Sequence, residues 1–148
     1  MKHDVYLITG ATGATGGAAI EELLSSGASV RALVHRDDER AASLRTSDVE
    51  VVVGDLLDSH AVQAALRDVT GAYFVYPIMQ PQLVDATAYF AHAAKLAGVR
   101  SIVNMSQIFP RAPTQGAMHR LRTGMASEYS IGPVFPLLIC GRHSLWNG

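Results

Sequence analysis

The sequence predicts a doubly wound α/β fold, in which a parallel sheet carries helices on both faces in the Rossmann arrangement. Short apolar segments alternate with segments of helical periodicity between residues 5 and 105, which is the chain order of successive β-α-β units. The strand segments are apolar throughout instead of at every second residue, as expected of strands that are buried on both faces. A glycine-rich turn joins the first strand to the first helix, at the position of the ligand-binding turn in this fold.

The first two strands and the first two helices follow from composition and spacing. Residues 5–9 form an apolar run that ends in glycines, which predicts the first strand. Residues 14–26 have apolar positions at helical spacing, and Gly27 stands where a helix ends. Residues 29–34 are rich in β-branched and aliphatic side chains and predict the second strand. Residues 38–45 predict a short second helix.

The next three elements continue the alternation of strand and helix. Residues 49–53 form a continuous apolar run and predict the third strand. Asp58 or Ser59 is a suitable N-cap for a third helix that extends through residue 66. The fourth strand is predicted at residues 72–76, where Pro77 closes it.

The last predicted helix and strand complete a five-stranded sheet. One apolar stripe at helical spacing predicts a helix that Gly98 ends, and it comprises Leu83, Ala86, Phe90, Ala94 and Ala97. The fifth strand is predicted at residues 101–105. Right-handed crossovers then give the strand order 3-2-1-4-5. The alternation fails after about residue 108, so residues 1–112 are expected to form the domain and residues 113–148 an irregular tail.

Composition favours a cytoplasmic globular protein. The 148 residues carry 12 Lys and Arg against 13 Asp and Glu, for a formal net charge of −1. This balance argues against a nucleic-acid-binding surface. A single cysteine, Cys140, excludes an intrachain disulfide framework, and the six histidines show no metal-ligand spacing. No apolar run reaches the ~18 residues that span a bilayer, so no membrane association is expected.

The glycine-rich turn is the strongest functional signal in the sequence. Gly10, Gly13 and Gly16 follow the first strand at a spacing of three residues. In a dinucleotide-binding turn, the first glycine permits the sharp bend, the second admits a pyrophosphate, and the third lets the helix pack closely. The N–H groups and positive dipole end of the helix then face the phosphates. We therefore predict that Gly10, Thr12, Gly13, Ala14, Thr15 and Gly16 bind a dinucleotide.

The end of the second strand indicates which dinucleotide is bound. His35 and Arg36 stand where many NAD-binding proteins have an acidic residue for the ribose 2′-hydroxyl. A guanidinium suits a 2′-phosphate, because it can make a bidentate charge-assisted contact. The alternative is that Arg36 is a solvated surface charge, and Asp37 and Asp38 directly after it weaken the inference. The pattern favours NADP and leaves NAD possible.

The other predicted strand ends supply the remaining candidates, because ligands bind at the carboxyl edge of such sheets. Asp55 after the third strand is suited either to the adenine amino group or to capping a turn. Tyr76 and Pro77 end the fourth strand. Ser106 follows the fifth strand, where its hydroxyl could equally satisfy local backbone.

Four segments together resemble the NmrA-like family of atypical short-chain dehydrogenase/reductase proteins. They are Ile8-Thr9-Gly10-Ala11-Thr12-Gly13, Val30-Arg31-Ala32-Leu33-Val34, Val53-Gly54-Asp55-Leu56 and Val103-Asn104-Met105-Ser106. The resemblance covers roughly residues 3–112 and implies an extended Rossmann fold that binds NAD(P), with Leu56 beside the cofactor. It also implies one of two functions. Some members resemble NAD(P)H-dependent quinone reductases, whereas others are redox sensors that bind dinucleotide without catalysis.

The catalytic pair of the wider superfamily is absent from these 148 residues. Classical members use Tyr-x-x-x-Lys, in which lysine lowers the pKa of a proton-donating tyrosine. Lys2 and Lys95 are the only lysines, and neither follows a tyrosine at that spacing. Ser106 lies near the place of the family's serine, and no catalytic residue is assigned. Hydride transfer without the pair stays possible because the cofactor carries the chemistry.

The tail resembles no part of the family. Codons for residues 126–147, shifted by two bases, permit a family-like run that contains Glu-Arg-Val-Phe-Asp-Trp-Ser-Gly-Val-Pro-Val-Thr. We therefore expect a frameshift between about Gln107 and His119, or a truncation, which removes the substrate region and exposes the edge of the fifth strand. Self-association through that edge is possible. The expected function is an NAD(P)H-dependent, quinone-reductase-like oxidoreductase without its substrate region. The alternatives are an NADP-sensing regulator and an inert cofactor-binding remnant.

Overall fold

The computed structural model describes residues 4–77 and 80–105 and the backbone of residues 137–138. Strands and helices alternate along the described chain up to β5. The elements are β1 (Val5–Thr9), α1 (Ala14–Ser25), β2 (Ser29–Val34), α2 (Glu39–Thr46), β3 (Glu50–Val53), α3 (Ser59–Ala65), β4 (Gly71–Phe74), α4 (Leu83–Ala97), β5 (Ser101–Asn104) and β6 (Leu137–Leu138).

All neighbouring strands of the sheet run parallel, in the order β3-β2-β1-β4-β5-β6. The predicted order 3-2-1-4-5 is confirmed. β1 lies between β2 and β4, where Ile8 is in register with Ala32 on one side and Tyr73 on the other. The chain winds outward from β1 in both directions, so the switch point of the topology lies between β1 and β4. Ligands of such sheets bind at the carboxyl ends of the strands around that point.

Buried side chains form two apolar clusters, one on each face of the sheet. Consecutive residues of β1 point to opposite faces, so Leu7 belongs to one cluster and Ile8 to the other. α1 and α2 contribute Ile20 and Ala41 to the cluster around Ile8. α3 and α4 cover the other face, where the ring centroids of Phe74 and Phe90 are 4.5 Å apart. The two-sided burial inferred from the continuous apolar strands is confirmed for β1, β2 and β4, whereas β3 is only partly buried because it lies at the edge of the sheet.

Aspartate caps begin two of the helices. The carboxylate of Asp38 accepts hydrogen bonds from the backbone N–H groups at the start of α2, and Asp58 does the same at α3. Asp58, not Ser59, is therefore the N-cap of α3. Gly98 ends α4 with a φ of 71°, a left-handed conformation that glycine adopts without steric cost.

β4 ends at Phe74, two residues before the predicted end of the fourth strand. The N–H of Val75 donates to the side chain of Thr9 (2.7 Å) instead of continuing the backbone ladder. At the carboxyl end of β4, this side-chain contact replaces the backbone pairing with the neighbouring strand. The apolar pattern of the sequence therefore predicted a strand that is longer than the observed one.

A short sixth strand lies beside β5. We expected β5 to leave an open edge, but Leu137–Leu138 pairs in parallel with Ile102 and Val103. The rest of the predicted irregular tail and the boundary at residues 112 and 113 lie outside the described residues. In the part of the chain that is described, no helix combines the length and apolar character needed to cross a bilayer.

Candidate functional site

A cleft of about 820 Å³ opens at the carboxyl ends of β1, β2, β3 and β4. Its size lies within the range of small-molecule and cofactor sites. Four segments form its wall, one after each of these strands. The lining residues are Gly10, Ala11, Thr12, Gly13, Thr15, Leu33, Val34, His35, Arg36, Gly54, Asp55, Leu56, Leu57, Val75, Tyr76, Pro77 and Gln80.

The glycine turn curls back on itself directly after β1. Gly10 has a φ of +61°, and a Cβ there would lie 2.4 Å from Cγ1 of Val75. Only glycine combines this backbone conformation with so close a neighbour. The carbonyl of Gly10 accepts a hydrogen bond from the N–H of Gly13 at 2.9 Å. The turn therefore places the start of α1 against the end of β1.

Gly16 fits the first turn of α1 onto the backbone of that glycine turn. A Cβ at Gly16 would lie 2.3 Å from the carbonyl oxygen of Gly10, whereas a Cβ at the next residue, Gly17, would meet nothing within 4 Å. Gly16 is buried, and it does not line the cleft. Its absent side chain is what allows α1 to approach the turn.

The N-terminus of α1 faces the cleft without a side-chain cap. Gly13 is its N-cap and has no side chain that could accept from the first N–H groups of the helix. In contrast, α2 and α3 are capped by the carboxylates of Asp38 and Asp58. Helices leave their first N–H groups without intrahelical partners, and their N-termini favour negative charge. The start of α1 is therefore suited to an anion that enters from the cleft.

The end of β2 brings a cation to the same cleft. His35 and Arg36 both line it and are exposed. Asp37 accepts a hydrogen bond from Arg45 at 2.7 Å, and that hydrogen bond holds the pKa of Asp37 below its ordinary value. Among the described residues, Arg36 has no carboxylate within 4.0 Å. The guanidinium of Arg36 is the cation that remains for a ligand in this wall of the cleft.

Asp55 has a local role at the end of β3. Its Oδ1 accepts a hydrogen bond from the N–H of Leu57 at 2.9 Å, so the turn-capping alternative is present in the structure. Its Oδ2 lies 3.9 Å from Nδ1 of His35. The two side chains lie near each other at the neighbouring ends of β3 and β2. The predicted adenine contact of Asp55 stays a prediction.

Thr9 holds the end of β4 over the glycine turn. Its fully buried hydroxyl accepts from the N–H of Val75 at 2.7 Å and donates to the Val75 carbonyl at 2.9 Å. Beyond Val75, the hydroxyl of Tyr76 donates to the carbonyl of Pro81 at 2.9 Å. These contacts fix the apolar part of the wall next to the turn.

Comparison with known proteins identifies the family. The sequence profile described as the NmrA-like family matches residues 2–118. The chain belongs to the NmrA-like family. The resemblance that the sequence motifs indicated is therefore confirmed over most of the chain.

Named relatives of this NmrA-like chain include reductases and a regulator. An NAD(P)H azoreductase of Xenophilus azovorans is 33% identical over 113 residues, which are 75% of this chain and 39% of the azoreductase. An NADPH-dependent quinone oxidoreductase of Escherichia coli, solved with NADPH, is 28% identical with a TM-score of 0.70. The match covers 90% of this chain and 48% of the oxidoreductase.

A third similar structure is NmrA, a negative transcriptional regulator in complex with NADP. It is 18% identical, has a TM-score of 0.80, and the match covers 95% of this chain and 45% of that chain. At this identity the likeness shows the fold alone. The chain spans well under two thirds of the length of each of these proteins.

The cleft of the NmrA-like chain brings together most of the residues that the sequence singled out. These are Gly10, Thr12, Gly13, Thr15, His35, Arg36, Asp55, Leu56, Tyr76 and Pro77. Ala14 and Gly16 lie outside the lining, in the first turn of α1, and Ser106 lies outside the described residues.

Sequence reasoning missed seven residues of the cleft wall: Ala11, Leu33, Val34, Gly54, Leu57, Val75 and Gln80. Five of them adjoin a predicted site residue at a strand end or in the glycine turn, so adjacency was a usable signal, and Leu33 lies two residues before His35. Gln80 gave no signal, because it reaches the cleft through a turn in which its N–H donates to the Pro77 carbonyl at 3.0 Å.

Proposed function

We propose that this chain binds NADP(H) in the cleft and belongs to an NAD(P)H-dependent reductase of a small conjugated acceptor such as a quinone. The proposal assigns cofactor binding to residues 1–112 and places the protein in the cytoplasm. NAD(H) is the weaker ligand in this proposal. One observation carries it: the uncapped start of α1 faces the same cleft as the guanidinium of Arg36, which has no carboxylate within 4.0 Å among the described residues.

The pyrophosphate is assigned to the glycine turn and the start of α1. The N-terminal N–H groups of a helix donate to phosphate oxygens, and the helix dipole favours their charge. Gly13 supports this assignment, because it is exposed and a Cβ there would meet only the Gly10 carbonyl oxygen, at 3.2 Å. The turn thus keeps an open approach on its cleft side. The residues assigned to the pyrophosphate are Gly10, Thr12, Gly13, Ala14 and Thr15. Gly16, which the sequence also predicted for this site, is buried and acts by letting α1 pack against the turn.

Arg36 is assigned to the 2′-phosphate that distinguishes NADP(H) from NAD(H). Asp37 and Asp38 weakened this inference at the sequence level, but each accepts a hydrogen bond from another arginine. A guanidinium without an ionic partner is free to make a charge-assisted contact with a phosphate. Its exposure also leaves it accessible to a ligand that enters the cleft.

The remaining strand ends are assigned to the two ends of the dinucleotide. His35, Asp55 and Leu56 lie beside Arg36 in the cleft, which supports a place near the adenosine. Tyr76 and Pro77 lie on the β4 side of the glycine turn, which supports a place near the nicotinamide. Ser106 is proposed for the same end from its sequence position alone.

The acceptor class rests on the relatives. One is named an azoreductase and another a quinone oxidoreductase, and both names describe conjugated electrophiles that are reduced. In the proposed reaction, a quinone would be reduced to the hydroquinone by one hydride from NADPH and one proton from solvent, with NADP⁺ as the other product. When bound, the cofactor supplies the hydride, and this chain's residues orient it.

A second candidate is a protein that binds NADP(H) and does not turn it over. The observation that favours it is the absence of a Tyr-x-x-x-Lys pair from these 148 residues. Such a protein would report the redox state of the nicotinamide pool to a partner. The two candidates share the cofactor site and differ in whether NADPH is consumed in the presence of a quinone.

Calorimetric titration of the 148-residue chain with NADPH and with NADH tests the shared site. We expect tighter binding of NADPH. Arg36→Ala should weaken NADPH binding by about 1.5–3 kcal/mol, or roughly ten- to a hundredfold. It should leave the affinity for NADH nearly unchanged, because NADH has no 2′-phosphate. Gly13→Val should abolish binding of both, because its side chain occupies the pyrophosphate approach.

Two results would contradict the proposal. Equal affinity of the wild-type chain for both dinucleotides, unaltered by Arg36→Ala, removes Arg36 from the site. If the folded chain binds neither dinucleotide, the proposed cofactor binding is wrong, and the alternative of an inert remnant is favoured. A quinone-dependent loss of NADPH absorbance at 340 nm distinguishes the reductase from the sensor.

A further inference from the structure

Two carboxylates directly follow Arg36, and each is held by a different arginine of α2. Oδ1 of Asp37 accepts a hydrogen bond from Nη1 of Arg45 at 2.7 Å. Oδ2 of Asp38 accepts from Nη2 of Arg40 at 2.8 Å, while its Oδ1 caps the helix. The segment therefore pairs both of its negative charges away from Arg36.

Asp37 is the carboxylate that could change the ligand preference of Arg36. Adjacent Cα atoms are about 3.8 Å apart, so an unpaired carboxylate at this position would lie within reach of the guanidinium. It could neutralise Arg36 or repel a phosphate bound there. The hydrogen bond lowers the pKa of Asp37 and raises that of Arg45. Both groups are ionised at neutral pH with or without this contact, so losing Arg45 would leave an unpaired negative charge beside Arg36.

We propose that Arg45 sets the preference of this chain for NADP(H) over NAD(H) by binding Asp37. Arg45 does not line the cleft and acts through Asp37, so it is a positioning residue. Without it, Asp37 is free to pair with Arg36 or to accept from the ribose 2′-hydroxyl of NAD(H), as acidic residues at the end of the second strand do. The inference rests on the proposed assignment of Arg36 to the 2′-phosphate.

The test compares NADPH and NADH dissociation constants of the wild type, Arg45→Ala and Arg45→Lys. We expect Arg45→Ala to lower the NADPH preference by about three- to tenfold at low salt, the effect of one like charge released near a dianionic phosphate. Arg45→Lys should largely keep the preference, because its ammonium still binds Asp37. The double variant Asp37→Asn with Arg45→Ala should restore it, since the amide cannot repel the phosphate.

Arg40→Ala is the matched control. It removes the same charge from an exposed site of the same helix, but the backbone N–H groups of Arg40 and Ala41 still hold the carboxylate of Asp38. We expect the NADPH preference to change by less than about twofold, because Arg40 is exposed and screened by solvent and salt and Asp38 keeps its backbone hydrogen bonds. Because exposed ion pairs contribute little to stability, the melting temperatures of all these variants should stay close together.

Three outcomes decide the inference. Equal shifts in Arg45→Ala and Arg40→Ala, or no rescue by Asp37→Asn, would overturn it, since the effect would then be general charge loss. No shift in Arg45→Ala overturns it as well. If Arg36→Ala still weakens NADPH binding in any of these cases, the inference about Arg45 fails and the proposed function is retained. A wild-type chain that binds neither dinucleotide overturns both.

Discussion

Gly16 and Gly17 are adjacent in α1, and the same substitution should have opposite effects at the two positions. A Cβ at Gly16 would lie 2.3 Å from the Gly10 carbonyl oxygen and 2.8 Å from the Gly10 carbonyl carbon, whereas a Cβ at Gly17 meets nothing within 4 Å. Both residues are helical, so alanine gains the same helix propensity at each. The difference between the two variants therefore isolates the contact between the helix and the turn.

The magnitude follows from that contact. The helix or the turn must move by roughly 1 Å to restore an ordinary van der Waals separation around a Cβ at Gly16. Forcing extra atoms against a packed backbone costs about 2–3 kcal/mol, and the gain in helix propensity of about 0.5–1 kcal/mol offsets part of it. We expect Gly16→Ala to destabilise the chain by about 1–2 kcal/mol and Gly17→Ala to stabilise it by about 0.5–1 kcal/mol.

Urea unfolding followed by far-ultraviolet circular dichroism measures this difference. With the denaturant slopes typical of small domains, the two midpoints should differ by about 1 M. NADPH titration is the second readout: Gly16→Ala should weaken binding, because the shifted turn moves the start of α1, and Gly17→Ala should leave it intact. Equal stabilisation by both substitutions would refute the close approach of α1 to the turn.

Two further substitutions test contacts outside the glycine turn. Thr9→Val should cost about 1–3 kcal/mol of stability, because the backbone N–H and carbonyl of Val75 both lose their hydrogen-bond partner. Thr9→Ser is the control, since it keeps the hydroxyl. If urea unfolding found the two variants equally stable, the proposed role of the Thr9 hydroxyl would be wrong. Asp58→Ala should cost about 1 kcal/mol by removing the N-cap of α3, with NADPH affinity unchanged. A change in NADPH affinity would instead connect α3 to the cleft.

The strand order was predictable because it follows from local patterns that reinforce one another. Apolar runs without alternation require burial on both faces, and alternating elements of this length allow few parallel topologies. Helix ends were predictable where one residue type has a distinct physical role, as at Gly98, whose φ is 71°. The observed strand ends departed from periodicity where a side chain intervened, as Thr9 does at Val75.

The electrostatic state of the β2 end was not predictable from the sequence. Arg36, Asp37 and Asp38 are adjacent in the chain, and their order alone leaves open which charge pairs with which. The answer depends on α2, an eight-residue helix whose last turn places Arg45 within hydrogen-bond distance of Asp37. Composition could only report a near-balance of charges, whereas the three-dimensional pairing at the end of β2 leaves Arg36 without a carboxylate partner among the described residues. Long side chains on a helix thus decide the chemistry of the preceding loop.

Cofactor binding and turnover can be tested separately in this chain because of where the cleft residues lie. Within the part of the chain that the structure describes, the lining residues fall between Gly10 and Gln80, at or after the ends of the first four strands. These strands hold the cleft through the sheet and the two apolar clusters beneath it. A folded chain should therefore bind NADPH whether or not it reduces a quinone. Absence of turnover would count against the reductase and leave the cofactor site intact, whereas absence of binding would remove both.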